Sequence, residues 1–170
     1  MRTDRRTCRS NEQRTPLRLR KVITGRVRSG EGDGERYTSL SWFRRAISRS
    51  YGFDPYPGTL NIEVSPFSEV QNELVARGTV LVPPTTGVCC SLLRPASLGK
   101  ARRRQIAAGA GGKKRESVVI VRPLLLGYEQ DKIELVSPAH LRLTLGLSDA
   151  DEVELEFDRK TPSVGGWIQG

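Results

Sequence analysis

At 170 residues, 36% hydrophobic and 28% charged, the chain has the length for one domain with its own apolar core. Its formal charge of +9 is uneven: residues 1–21 carry eight Arg/Lys against Asp4 and Glu12, residues 94–115 carry eight and no acid, and the remainder is mildly acidic. That distribution argues against a uniformly basic nucleic-acid reader, and a single histidine, His140, argues against histidine triads and multi-histidine metal sites. Phosphoryl-transfer chemistry stays open, because it needs positioning more than a histidine base. Cys8, Cys89 and Cys90 lack disulfide or metal-ligand spacing and read as reduced thiols of a cytoplasmic protein. Neither a signal-peptide run nor the ~20 apolar residues of a membrane span is present in this sequence.

Residues 1–18 read as a disordered basic tail, for which, as for the basic loop over 95–115, weak non-specific nucleic-acid binding is the most that is implied. Residues 19–158 read as one domain, opening with a strand from Leu19 to Arg28. Gly30, Gly32 and Gly34 then form a loop that lets another molecule approach the backbone; its spacing matches neither a P-loop nor a dinucleotide fingerprint. The interleaved Glu31, Asp33 and Glu35 argue against naked phosphate there, unless Mg²⁺ or a base and ribose occupy that side. Leu40, Phe43, Ala46 and Ile47 fall at helical spacing, with Ser39 or Ser41 as N-cap and Gly52 past the end. Phe67, Val70 and Leu74 repeat the pattern before Gly78.

Thr79 to Val82 and Gly87 to Leu93 read as short strands, 95–115 as a basic flexible insertion, and Ser117 to Val121 as a further strand. Lys132 to Val136 alternates as a strand that sets Glu134 opposite Ile133 and Leu135. Ser137-Pro138 reads as the N-cap and first-turn proline of a short helix carrying Leu141, Leu143 and Leu145. An alternating edge strand through Phe157 and a tail over 159–170 end the chain. Six or seven short strands with three short helices predict a mainly β fold, a small barrel with helices at its ends.

The stretch Gly52 to Ile62, GFDPYPGTLNI, joins an exposed turn to a strand. Alternation puts Leu60 and Ile62 on one face and Thr59 and Asn61 on the other, so a hydroxyl and an amide carbonyl stand side by side. Two such neutral hard ligands are too weak to hold a divalent cation alone; they suit a Mg²⁺ carried in on a nucleotide's phosphates. The alternative is that both side chains only satisfy the turn.

The order S-G-x-G-x-G, amphipathic helix, GFxPYxGTLN, then IExxxPxxLR before a final D-x-D strand resembles the CTP-dependent riboflavin kinases of archaea, from about Val22 to Phe157. The resemblance implies a six-stranded cradle-loop barrel with short flanking helices that transfers the γ-phosphate of CTP to the 5′-hydroxyl of riboflavin, giving FMN. It implies that Gly30, Glu31, Gly32, Asp33, Gly34 and Glu35 surround the nucleotide, with Ala139, His140, Leu141 and Arg142 at its cytosine end. It puts Thr59 and Asn61 on Mg²⁺, and Glu134 at the ribityl end of the flavin, as catalytic base ahead of Asp131 or Glu129. The sequence departs from the family pattern at Leu126, where a flavin-binding threonine is expected, at Arg36 in place of a tyrosine, and at Ala150 within D-A-D. Leu126 motivates a second reading, a non-catalytic flavin or nucleotide sensor, and the basic segments a third, a nucleic-acid-binding small barrel.

Overall fold

The structure, a computed structural model, describes residues 20–30, 32–101, 114–157 and 167–169. In chain order its elements are β1 (Lys21–Arg28), α1 (Asp33–Thr38), α2 (Ser41–Tyr51), β2 (Leu60–Val64), α3 (Phe67–Arg77) and β3 (Thr79–Val82). These are followed by β4 (Ser91–Lys100), β5 (Arg115–Pro123), β6 (Lys132–Val136), α4 (Leu141–Leu145), β7 (Glu152–Phe157) and β8 (Trp167–Gln169). Six strands close into an antiparallel ring: β1 pairs with β2 and β7, β2 with β6, β6 with β5, β5 with β4, and β4 with β7. The expected mainly β barrel is therefore observed. β3 pairs with the start of β4, and β8 lies parallel to β3, so the two form a flange on the barrel wall.

Two apolar clusters follow from the alternation of the strands. Leu60, Ile62 and Val64 of β2 join Ile23, Val27, Ile133, Leu135, Val153 and Leu155 inside the ring, which α3 closes with Val70 and Leu74. On the outer wall, Trp42, Phe43, Ala46 and Ile47 of α2 pack against Leu81, Leu93, Val119, Val121 and Val136. β5 serves both clusters, Val118 and Ile120 inward and Val119 and Val121 outward, which is why its sequence is apolar without alternation.

Several boundaries differ from expectation. The insertion assigned to 95–115 is narrower: β4 runs on to Lys100 and β5 begins at Arg115, with Pro95 paired to Val119 in the ladder. Pro95 falls where pairing with β3 has ended at Leu93 and pairing with β7 has yet to begin at Ser97, an interval that tolerates a missing N–H. β7 is not an edge strand, since β1 and β4 flank it. Within the tail assigned to 159–170, β8 is ordered strand, and Ile168 packs on the outer cluster. The basic tail at 1–18 and residues 102–113 lie outside the described residues.

Candidate functional site

The turn before β2 is fixed from two sides. Tyr56 N donates to Ser137 O at 2.8 Å, and Gly58 N donates to Thr38 Oγ1 at 2.8 Å. Thr38 is buried at the end of α1, and its hydroxyl donates to Gly34 O at 2.9 Å, tying the glycine segment to the turn. Its role is non-local and leaves no sequence signal. The glycine stretch is only partly a loop: Gly32, at φ +91°, caps α1, which begins at Asp33.

Gly30 and Gly34 are needed for closeness. A Cβ on Gly30 would stand 2.3 Å from Asn61 Nδ2, and one on Gly34 would stand 2.3 Å from Thr59 Oγ1. Thr59 and Asn61, on the outer face of the barrel, are thus roofed by the glycine segment. Asn61 is 6% exposed, and its Oδ1 is buried with no hydrogen-bond partner among the described residues. An orphaned carbonyl oxygen of this kind costs about 1–3 kcal/mol unless a ligand meets it.

Across the ladder, Asn61 pairs with Glu134 of β6. Thr59, Asn61 and Glu134 line a cavity of about 790 Å³, together with Gly30, Gly32, Asp33, Gly34 and Glu35, and with Leu126 at its rim. That is within the range of small-molecule sites. Leu126 is fully exposed, and Glu31 lies outside the described residues. Tyr128 Oη donates to Glu134 Oε1 at 2.6 Å; burial and that carboxylate hold the phenol far above its usual titration range. Deeper in the wall stand Tyr37 and Ser91, whose hydroxyls are buried without a hydrogen bond in good geometry. Burial pushes the Tyr37 hydroxyl up, while Ser91 beside it pulls the other way. Tyr37 directly follows Arg36, where the resemblance expects a tyrosine, and Tyr128 lies two residues past Leu126 as a candidate to replace the expected hydroxyl, whereas Ser91 carries no sequence signal.

The remaining predicted residues lie elsewhere. Ala139, His140, Leu141 and Arg142 line a second hollow of about 170 Å³, which meets the first at Pro57, Gly58 and Thr59. Residues 137–140 are not helical as expected: α4 starts at Leu141, and its cap is His140, whose Nδ1 accepts from Leu143 N at 3.2 Å. Ser137 Oγ instead accepts from Ala139 N, closing a local turn that Pro138 favours. Tyr56 meets His140 edge-on, with ring centroids 5.0 Å apart. Arg142 is engaged within the protein, donating to Arg28 O at 2.9 Å and to Asp149 Oδ1 at 2.6 Å. Asp149 also accepts from Ser29, and the hydroxyl and guanidinium hold its carboxyl below the usual range.

Among the described residues no group of three or more His, Cys, Asp or Glu is placed to hold a metal. No helix among them is long and apolar enough to cross a membrane.

A family model described as a domain of unknown function, DUF120, and labelled CTP-dependent riboflavin kinase, matches residues 27–157. The chain belongs to this family. Its family relatives include the riboflavin kinase of Pyrobaculum islandicum, 39% identical over 136 residues that cover 79% of this chain and 59% of that protein. The riboflavin kinase of Ignicoccus hospitalis is 34% identical, covering 78% of this chain and 69% of that protein. That of Saccharolobus solfataricus is 31% identical over 151 residues, covering 88% and 82%. The match to the family model takes in the glycine segment from Gly30, the turn before β2 and α4, and so spans both hollows.

Proposed function

We propose that the chain is a riboflavin kinase that transfers the γ-phosphate of CTP to the 5′-hydroxyl of riboflavin, in the cytoplasm. The observation that carries this reading is the orphaned Asn61 Oδ1, paired across the ladder with Glu134 and roofed by Gly30, at the floor of a cavity large enough for a tricyclic ring. The family label and the names of the relatives support the kinase class and riboflavin as acceptor.

In this reading riboflavin occupies the larger hollow with its ribityl chain toward Glu134, and the nucleotide reaches from the glycine segment to the smaller hollow at Ala139 to Arg142. Thr59 and Asn61 fit a magnesium ion brought in on the phosphates, because they offer two neutral hard oxygens, one of them without a partner. Magnesium, when bound, would neutralise charge on the transferring phosphoryl group. Glu134 orients the 5′-hydroxyl and takes its proton as the oxygen bonds to the γ-phosphorus. The bond from that phosphorus to the bridging oxygen breaks, and CDP leaves. Gly30 and Gly34, lacking side chains, let the phosphates approach the backbone. Most of the barrier reduction comes from holding these groups in line.

The test is purified protein with riboflavin, magnesium and each nucleoside triphosphate in turn, read as FMN. CTP is expected to give the most product. Equal use of ATP would overturn the donor assignment, and riboflavin binding with no FMN from any donor would favour the sensor reading that the exposed Leu126 motivates.

A further inference from the structure

Glu134 is the one carboxylate placed next to Asn61 across the β2–β6 ladder, and one of its two oxygens is already committed. Tyr128 Oη donates to Oε1 at 2.6 Å, whereas Oε2 makes no hydrogen bond among the described residues, and the half-buried Glu134 lines the larger cavity. The geometry points to Tyr128 as the positioning residue of this site: its hydroxyl pins Oε1, fixing the carboxylate so that Oε2 is the acceptor for the substrate hydroxyl. This rests on the kinase reading above, in which Glu134 meets the 5′-hydroxyl.

Tyr128 is itself held from several directions. Gly127, at φ +83°, turns the chain back so that Tyr128 N donates to Leu125 O at 3.2 Å. The guanidinium of Arg122 lies 4.4 Å from the centre of the Tyr128 ring, and Lys132 Nζ lies 5.3 Å from it. Arg122 Nη1 also donates to the carbonyl oxygens of Glu129 and Lys132, both at 2.5 Å, so one side chain braces the ring and the stretch that leads from it into β6. Arg122 stacks on Phe67 of α3 as well, at 4.9 Å, which anchors this brace to the barrel end. The phenol, held well above its usual titration range, stays a donor at neutral pH and cannot itself serve as the base. Leu126, where the resemblance calls for a hydroxyl, points to solvent; Tyr128, two residues on, supplies a hydroxyl that reaches the glutamate.

The alternative is that Tyr128 only stiffens its loop. Tyr128→Phe separates the two, since it keeps the ring on Arg122 and removes one oxygen. Turnover is expected to fall about 10- to 100-fold, the loss of one donor to a charged acceptor, with the riboflavin KM changed less than about threefold. Placed on a Glu134→Gln background, Tyr128→Phe should cost no further turnover, because both changes remove one unit. Normal turnover in Tyr128→Phe, a loss confined to KM, or losses that multiply in the double variant would overturn the proposal. If the unmodified protein binds riboflavin yet makes no FMN with any donor, the kinase reading falls and this proposal with it. FMN from the unmodified protein and an equal rate from Tyr128→Phe overturns this proposal alone.

Discussion

Gly30 and Asn61 are packed so closely that a methyl group on the glycine would stand 2.3 Å from the asparagine's amide nitrogen. The atom in the way is the tip of a side chain, not backbone, so Gly30→Ala should swing Asn61 aside while the barrel stays folded. Turnover is expected to fall about a hundredfold, with stability changed by about 1 kcal/mol or less. Steady-state kinetics beside thermal unfolding checks this; an alanine variant with full activity would show that the close fit serves nothing in the reaction.

Asn61→Ala tests the same point from the other side. Asn61 Oδ1 has no hydrogen-bond partner among the described residues, so deleting it breaks no bond seen to that oxygen, and stability should move by about 1 kcal/mol or less. Turnover should collapse, since one positioned electrostatic contact is worth about 2.7–4 kcal/mol in the transition state. A magnesium titration of FMN production on the same preparation should show a weakened metal dependence. A destabilised variant with unchanged turnover and metal dependence would mean that the side chain only supports the turn.

Ala150 occupies the left-handed region at φ +66°, in the turn where Ala150 N donates to Val27 O at 2.9 Å. That conformation costs an alanine about 1–2 kcal/mol, and glycine returns about 0.4–1 kcal/mol of it through the unfolded chain. Ala150→Gly should therefore raise the melting temperature by about 1–4 °C at equal turnover. A lower melting temperature would contradict the backbone assignment.

Asp149 links Ser29 to Arg142, and its carboxyl sits below its ordinary value of 3.8 through those two hydrogen bonds. A depressed folded value adds stability that is fully present above the unfolded value and is lost as the pH falls through the folded one. Denaturant midpoints of the wild type should hold near neutrality and decline below about pH 4, and Asp149→Asn should decline less over that interval. The group is exposed, so added salt should shrink the difference. Parallel curves for the two proteins at all pH values would remove Asp149 from the account.

Much of the barrel was legible because alternation is local: Leu60, Ile62 and Asn61 declare their faces within three residues, and Val153, Leu155 and Phe157 do the same. The second half of β4 was hidden because Pro95 and its basic neighbours imitate a loop, whereas the ladder with β5 spans both. β8 was hidden because a three-residue strand gains its stability from β3, far away in sequence. At the candidate site, alternation put Thr59 and Asn61 on one face, and Glu134 was reached as a site residue only through the resemblance. The Thr38 brace could not be read, since it depends on a turn 20 residues away, and the His140 cap, though only three residues from its partner, was hidden behind the stronger cap signal of Ser137-Pro138. The residues expected around one nucleotide divide between two hollows for the same reason: order along the chain does not say which side of a turn a residue will face.

The ridge formed by Pro57, Gly58 and Thr59 is shared by both hollows and is pinned by Thr38 on one flank and Ser137 on the other. Each hollow therefore has walls of its own, and filling one does not build the other. Under the proposed function the nucleotide crosses this ridge, its phosphates at the glycine segment and its base in the smaller hollow, so the two reactants meet only at the phosphates. Product inhibition is then expected to follow a random pattern; a strictly ordered pattern would show that one reactant completes the other's site. An inhibitor joining a flavin to a cytidine through a linker cut to the span of that ridge would draw on both sites at once, with an effective concentration set by the linker's reach.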